Sequence, residues 1–321
     1  MNRLSPFVLE HPKLLAPAKF HDPHVTASGA VRAVVALRQL DTLWFNTGTR
    51  CNLTCANCYI ESSPTNDALA YLTVDDVRGY LDELTRDRLG TRTIGFTGGE
   101  PFLNRALPEM LALTLSRAHD ALVLTNAMTP MRKHEAALLD LHARYGARLT
   151  LRVSLDHPTA AVHDAERGAG SFDAAVDGLV WLAARGFSVA VAGRTRPGES
   201  TADERDAYGA LFARLGVPIA AQDPARLVLF PEMDARQDVP EITEACWGIL
   251  HKSPDDVMCA SSRMVVKRRG ADRATVVACT LLPYDPQFEL GATLAEASKP
   301  VALNHPHCAK FCVLGGASCG G

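Results

Sequence analysis

The sequence predicts an α/β protein built around a parallel sheet, and two observations carry that prediction. From residue 43 onward, six short runs rich in Val, Ile and Leu alternate with five segments of helical periodicity. The runs are apolar almost throughout, as strands are when both faces of a parallel sheet are covered. A doubly wound sheet and a barrel both fit this alternation, and both folds bind ligands at the carboxyl ends of their strands.

The elements follow one another with recognisable boundaries. The predicted strands are Leu43–Asn46, Thr93–Thr97, Ala121–Thr125, Arg148–Leu155, Phe187–Ala192 and Arg226–Phe230. The predicted helices cover 74–88, 105–119, 131–145, 171–185 and 202–215. Thr73 is a natural N-cap for the first helix, and Gly146, Gly186 and Gly216 stand where later helices end.

Composition narrows the possible functions of the 321-residue chain. Hydrophobic residues make up 47% and charged residues 21%, which is the balance of a folded globular protein. The formal charge of −3 gives no overall field for a nucleic-acid backbone, so we expect no nucleic-acid partner. No apolar run reaches the roughly 18 residues of a membrane helix. The first residues do not resemble a secretion signal, and we therefore expect a cytoplasmic protein.

The nine cysteines fall into two groups with a long gap between them. Three lie within residues 51–58 and six lie after residue 245. An odd number without a secretion signal argues against a disulfide framework. Cysteines that merely fill a core would be spread along the chain, so the clustering indicates metal binding.

The first group, Cys51-x3-Cys55-x2-Cys58, lies in one loop directly after the first predicted strand. A structural zinc site needs four ligands, and neither a His nor a fourth Cys stands close by in the sequence. An iron–sulfur cube held by three thiolates leaves one iron open to a substrate or cofactor. Packing of the three thiols into a core is the alternative.

Three segments together resemble the radical S-adenosylmethionine (SAM) superfamily: RCNLTCANCY, FTGGEP, and the stretch from VSLD to AAVDGL at 153–179. The resemblance implies a partial (β/α)6 TIM-like barrel whose three cysteines hold a [4Fe–4S] cluster. Bound SAM would be cleaved reductively to methionine and a 5′-deoxyadenosyl radical that takes hydrogen from a substrate. His163 and Asp164 lie in the third segment, and we interpret them as a surface pair.

The resemblance also implies a SAM-binding site at the strand ends. It would comprise Gly98, Gly99, Glu100, Asn126, Ser154 and Arg167. The Gly98–Glu100 segment would meet the SAM ammonium group, Ser154 and Arg167 the carboxylate, and Asn126 the ribose hydroxyls. The alternatives are a plain turn for the glycines, a solvated charge for Arg167 and an Asn turn for Asn126. No catalytic side chain can be named from the sequence.

The second group of cysteines lies in a Pro-rich tail with one readable hairpin, at 262–279. The tail resembles the "twitch" or shortened SPASM extension of radical SAM enzymes, which implies an auxiliary iron–sulfur cluster. We expect its ligands to be Cys259, Cys279, Cys308 and Cys312, with Cys246 and Cys319 as further possibilities. Zinc is the alternative metal, with His305 and His307 as alternative ligands.

These observations predict three segments: a lead segment at 1–42, a radical SAM barrel at 43–231 and a Cys-rich region at 232–321. The expected function is removal of hydrogen from a peptide or a small molecule by a SAM-derived radical. An external electron donor such as flavodoxin or ferredoxin would reduce the cluster. The alternatives are a radical SAM methyl- or group-transferase and a non-catalytic iron–sulfur or zinc protein.

Overall fold

Parallel strands form the centre of the molecule in the computed structural model, which describes residues 13–196, 198–231 and 234–316. The strands are β1 (Val34–Val35), β2 (Thr42–Asn46), β3 (Thr93–Thr97), β4 (Asp120–Thr125), β5 (Leu149–Ser154), β6 (Ser188–Thr195), β7 (Leu227–Pro231), β8 (Ser262–Val266), β9 (Thr275–Val277), β10 (Glu289–Gly291) and β11 (Val301–Ala302). The helices are α1 (Val74–Arg86), α2 (Leu107–Ser116), α3 (Thr129–Arg132), α4 (Glu135–Tyr145), α5 (Ala160–Arg167), α6 (Ser171–Ala184), α7 (Thr201–Leu215) and α8 (Ala245–Leu250).

Strands β2 to β7 lie side by side in chain order and all run parallel. Helices connect them, so the six units follow one another around the sheet as a partial (β/α)6 barrel. The predicted fold class is confirmed. The strands carry the core: β2 is buried along its whole length, and Phe45 stacks on Phe96 of β3 with ring centroids 5.8 Å apart.

The predicted barrel elements agree closely with those observed, with three differences. Thr73 caps α1 as expected: its hydroxyl accepts a hydrogen bond from the Asp76 N–H at 3.1 Å, and the Asp76 carboxylate accepts one from the Thr73 N–H at 2.8 Å. The single helix predicted at 131–145 is instead the pair α3 and α4. Helix α5 was not predicted, and β6 continues three residues beyond its predicted end.

The predicted tail hairpin is present as the antiparallel pair β8 and β9. Strand β8 also pairs in parallel with β2, so the hairpin and β10 extend the barrel into a continuous nine-stranded sheet. The predicted division at residue 231 stays a prediction, since the sheet runs across it.

The lead segment packs against the tail. Strand β1 pairs with β11, and the buried guanidinium of Arg32 forms an ion pair with Glu241, with 2.5 Å between Nη2 and Oε1. In the part of the chain that the structure describes, no helix combines the length and the apolar character needed to cross a membrane.

Candidate functional site

The carboxyl ends of the barrel strands surround a cavity of about 980 Å³, here called the barrel cavity. Of the nine residues predicted for the cluster and for SAM, eight line it: Cys51, Cys55, Cys58, Gly98, Gly99, Asn126, Ser154 and Arg167. Residues that are up to 116 positions apart in the sequence, from Cys51 to Arg167, therefore share one site.

The cysteine loop presents sulfur atoms that already accept hydrogen bonds. The Leu53 N–H donates to Cys51 Sγ at 3.4 Å, and the Ser62 N–H donates to Cys58 Sγ at 3.3 Å. Such N–H donors stabilise thiolates and cluster sulfurs. Burial raises the pKa of Cys51 to about 12, so the free thiol is protonated at neutral pH and would release its proton on binding metal. The donor set therefore fits a thiolate-ligated cluster.

Helix α5 holds the cysteine loop through two hydrogen bonds to Glu166. The Asn57 side chain donates to the Glu166 carboxylate at 3.0 Å, and the Ala56 N–H donates to the Glu166 carbonyl at 2.8 Å. Asn57 therefore links the cysteine loop to α5.

Gly98 and Gly99 allow the end of β3 to touch the cysteine loop. A Cβ atom at Gly98 would lie 2.5 Å from the Gly48 carbonyl oxygen, and one at Gly99 would lie 2.2 Å from the Arg50 carbonyl oxygen. Gly98 also has a φ of +141°, which L-residues rarely adopt. The sequence suggested close approach to a ligand; the structure shows that the same glycines also permit close approach of two backbones.

Glu100 does not line the barrel cavity. Its buried carboxylate accepts hydrogen bonds from the Asn126 N–H at 2.8 Å, the Thr125 hydroxyl at 2.9 Å and the Phe102 N–H at 3.1 Å. Burial raises the pKa of Glu100 to about 7 despite these donors. The side chain ties β3 to the end of β4 behind the cavity wall, and the predicted contact of the Gly98–Glu100 segment with the SAM ammonium group stays a prediction.

Asn126 adopts the turn that sequence analysis left open. Its side-chain oxygen accepts from the Met128 N–H at 3.1 Å, and its Nδ2 donates to the Asn52 side chain at 2.8 Å. Asn126 therefore connects the end of β4 to the cysteine loop while lining the cavity.

The guanidinium of Arg167, which we expected to meet the SAM carboxylate, forms a bidentate pair with Asp156. Its Nε and Nη2 donate to the two carboxylate oxygens at 2.6 and 2.9 Å, and the pair is almost completely buried. Burial alone would raise the pKa of Asp156, but the attraction of Arg167 and then of Arg194 lowers it to about 2. The Asp156 carboxylate is thus ionised throughout the neutral range.

Arg194 is a cavity residue that the sequence analysis missed. Its Nε lies 3.4 Å from Asp156 Oδ1, and its guanidinium lies 4.6 Å from the centre of the Tyr59 ring. Among the described residues, its buried Nη1 has no hydrogen-bond partner. Arg194 was not predicted because the sequence pattern ended β6 at Ala192, whereas the strand continues to Thr195.

His163 and Asp164 have structural roles, and the predicted surface pair is wrong for His163. The His163 ring is fully buried, and its Nδ1 accepts from the Asp156 N–H at 3.1 Å. Burial lowers the pKa of His163 to about 4, which keeps the ring neutral. The Asp164 carboxylate accepts from the Phe172 and Gly170 N–H groups, each at 2.8 Å, at the start of α6.

The four cysteines predicted for the tail line a second, smaller cavity of about 350 Å³, here called the tail cavity. Cys259 lies in a turn before β8 and Cys279 follows β9, so the hairpin brings both to its open end. Cys308 and Cys312 lie on a π-helical segment, Cys308–Leu314. Leu281 lines both the tail cavity and the barrel cavity.

The remaining tail candidates are placed differently. Cys246 does not line the tail cavity, and its Sγ accepts from the Thr243 N–H at 3.4 Å. Cys319 lies outside the described residues. His307 lines the cavity, whereas His305 does not and its ring meets the His307 ring edge to face, with centroids 4.6 Å apart. Within the described ranges, no group of three or more His, Cys, Asp or Glu side chains is close enough to hold a single metal ion.

Sequence relatives match the barrel part of the chain. Over 144 residues the chain is 36% identical to the antilisterial bacteriocin subtilosin biosynthesis protein AlbA of Bacillus subtilis (strain 168). The alignment covers 44% of this chain and 30% of AlbA. Over 140 residues it is 34% identical to mycofactocin maturase MftC of Mycobacterium tuberculosis (strain ATCC 25618 / H37Rv), covering 43% of this chain and 33% of MftC. The matched region therefore spans about a third of each relative.

Solved structures share the fold. Streptococcus suis SuiB bound to its precursor peptide SuiA aligns with a TM-score of 0.58 at 11% identity, covering 80% of this chain and 63% of SuiB. SuiB has also been solved bound to S-adenosylmethionine. At this identity the likeness supports the fold alone.

The profile of the radical SAM superfamily matches residues 45–207. That range runs from the end of β2 through β6 and includes the cysteine loop and every residue predicted to bind SAM. Because the match covers just over half of the 321 residues, the chain belongs to the radical SAM superfamily.

Proposed function

We propose that the chain is a radical SAM enzyme that modifies a peptide, with SAM bound in the barrel cavity. Cys51, Cys55 and Cys58 hold the [4Fe–4S] cluster of the superfamily. One observation carries the proposal: three thiols from one loop and five of the six predicted SAM residues line a single cavity at the carboxyl end of the barrel. When bound, the cluster and SAM supply the radical chemistry, and the protein positions the reactants and excludes water.

In this site, Arg194 is the residue we assign to the SAM carboxylate. The fork of Arg167 is already engaged by Asp156, whereas Arg194 Nη1 is buried beside the cavity and has no hydrogen-bond partner among the described residues. The Asp156 carboxylate holds both guanidinium groups in place. Ser154 and Asn126 remain the proposed polar contacts to SAM, and Glu100 supports them from behind the wall.

The assignment predicts that Arg194→Met weakens SAM binding. Loss of a hydrogen bond between charged groups costs about 1.5–3 kcal/mol, which corresponds to a roughly 10- to 100-fold higher Kd. Equilibrium binding of SAM to the reconstituted enzyme measures the effect. Arg196→Met is the matched control, because Arg196 is two residues away but does not line the barrel cavity. An unchanged Kd for Arg194→Met contradicts the assignment.

The tail cavity supports an auxiliary cluster, and with it a twitch- or SPASM-like tail after a barrel that ends near residue 231. Cys259, Cys279, Cys308 and Cys312 are its proposed ligands. A cubane binds its thiolates at separate corners, whereas a zinc ion needs four ligands about 2.3 Å from one centre. All four thiols line one cavity, yet among the described residues no three of them are close enough to hold a single ion, which favours the cubane.

A peptide substrate is supported by an open groove beside the barrel cavity. Cys58 and Tyr59 line both, and the groove also includes Arg196, Arg236 and Lys310. An extended peptide lying in this groove would present one side chain to the cysteine loop. Two similar proteins also support a peptide substrate: AlbA takes part in biosynthesis of a bacteriocin, and SuiB was solved with a precursor peptide. An external one-electron donor such as flavodoxin or ferredoxin completes the proposal.

The deciding experiment is anaerobic reconstitution with iron and sulfide, followed by dithionite and SAM. We expect release of 5′-deoxyadenosine, and transfer of deuterium into it from a labelled precursor peptide. S-Adenosylhomocysteine as the main product would favour a methyltransferase. A protein that binds iron or zinc and never cleaves SAM would refute the enzymatic proposal, and deuterium transfer only from a small molecule would refute the peptide.

A further inference from the structure

Arg263 is a buried arginine bonded only to backbone carbonyls. It lies on β8 with 1% of its surface exposed. Its Nε donates to the Ala297 carbonyl at 2.8 Å, and its Nη1 donates to the carbonyls of Cys259 and Ser262 at 2.6 and 2.8 Å. Its Nη2 donates to the Lys299 carbonyl at 3.2 Å. The guanidinium is therefore fixed in position beside Cys259, which lines the tail cavity.

Two other arginines with largely buried side chains are paired with carboxylates. Arg32 is paired with Glu241 and Arg167 with Asp156. Within the described residues, no carboxylate lies within 4.0 Å of the Arg263 guanidinium. A buried charge without an opposite charge is costly, because it has lost its hydration. Carbonyl dipoles offset part of that cost, so an anion nearby would lower it further.

The anions available to Arg263 are cysteine sulfurs. The hydrogen bond from Arg263 Nη1 to the Cys259 carbonyl places the guanidinium beside that cysteine, and Cys279 lines the same cavity as Cys259. Both line the tail cavity with Cys308 and Cys312. These sulfurs become thiolates when they ligate iron, so the missing negative charge would arrive with the cluster.

We propose that Arg263 is the buried counter-charge of the auxiliary cluster, which raises the cluster's reduction potential and strengthens its retention. The inference rests on the proposed assignment of the four tail cysteines as ligands. A cubane with four thiolates is negatively charged, and one electron from an external donor makes it one unit more negative. Arginine keeps its charge throughout, so it attracts the reduced cluster more strongly than the oxidised one. Net charge and hydrogen bonding near the sulfurs are known determinants of cluster potential.

The test compares Arg263→Lys with Arg263→Gln in a full-length chain that also carries Cys51→Ala, Cys55→Ala and Cys58→Ala. In that background the auxiliary cluster is the remaining source of the iron–sulfur EPR signal, and its midpoint potential is measured by redox titration. Both variants lose the guanidinium fork, and the Lys variant alone keeps the charge. We expect the Gln variant to be harder to reduce than the Lys variant by on the order of tenfold in the equilibrium constant, which is about 59 mV for one electron.

Arg268→Gln is the matched control, since it removes a charge from the same hairpin at an exposed pair with Glu289. It should leave the potential unchanged. Equal potentials for the Lys and Gln variants overturn the inference and leave Arg263 as a structural clamp. If the Gln variant loses its cluster while the Lys variant keeps it, the charge is needed for retention and the inference stands. If both lose it while circular dichroism stays native, the inference fails.

Failure of the underlying assignment gives a different result. The background chain without Arg263 substitutions should retain about four iron atoms, as one cubane does. If it holds no iron, or holds zinc, the auxiliary cluster itself is absent. That outcome is read before any Arg263 variant is compared.

Discussion

Replacement of Cys51, Cys55 and Cys58 together by Ala is expected to abolish SAM cleavage and to remove about four iron atoms per chain. The three thiols of one loop are the protein ligands that the proposal gives to the catalytic cluster, and without the cluster SAM has neither an electron source nor an anchoring iron. Anaerobic iron analysis and chromatographic detection of 5′-deoxyadenosine measure the two losses. The iron held at the tail cavity should remain.

Cys246→Ala provides the matched control for this experiment. Cys246 lines neither cavity, and its sulfur accepts a hydrogen bond from the Thr243 N–H at the start of α8. The variant should keep both its iron and its activity. Release of 5′-deoxyadenosine at an undiminished rate by the triple variant would contradict the proposed function.

Asp156→Asn is expected to destabilise the cluster-free protein by about 3–5 kcal/mol, because it leaves the buried guanidinium groups of Arg167 and Arg194 without their shared carboxylate. The pKa of Asp156 is about 2 in the folded chain, below its ordinary value of 3.8. A lowered carboxyl pKa contributes stability above pH 3.8 and loses it as the pH falls through about 2, so the full contribution is present at neutral pH. Urea denaturation of the free chain measures the difference in the free energy of unfolding.

Two further variants make that measurement specific. Asp255→Asn removes a carboxylate from the exposed pair with Arg38 and should have a much smaller effect. Adding Arg167→Met to Asp156→Asn removes one stranded charge and should recover part of the loss. If Asp156→Asn is as stable as the parent chain, the Asp156 carboxylate does not stabilise the fold by neutralising Arg167 and Arg194, and the prediction is wrong.

The barrel was predictable because buried parallel strands leave continuous apolar runs in the sequence. The end of β6 was not, since Gly193-Arg194-Thr195 has no apolar pattern, and the strand is extended there by pairing with β7. That error concealed Arg194. The general lesson is that strand ends at a ligand site carry polar residues, which are the residues a hydrophobicity pattern cannot assign to a strand.

The sequence predicted eight of the residues that line the barrel cavity, but not which partners their side chains bind. The sequence identified Arg167 as a cavity residue but could not reveal that Asp156 occupies its fork, because the contact depends on the position of α5. Glu100 stands beside two cavity glycines in the sequence, yet the extended backbone after Gly99 turns its side chain away from the cavity. For Arg263, no sequence pattern distinguishes a carboxylate partner from four backbone carbonyls.

The pairing of β8 with β2 has a consequence for any attempt to divide the protein. In the full chain, β8 satisfies the backbone groups of β2 that face away from β3, and the Tyr284 hydroxyl donates to the Ile60 carbonyl near the cysteine loop at 2.7 Å. Truncation after residue 231 would uncover those backbone groups along an apolar strand, which is the usual template for aggregation. The tail therefore shields the edge of β2 from pairing with another chain.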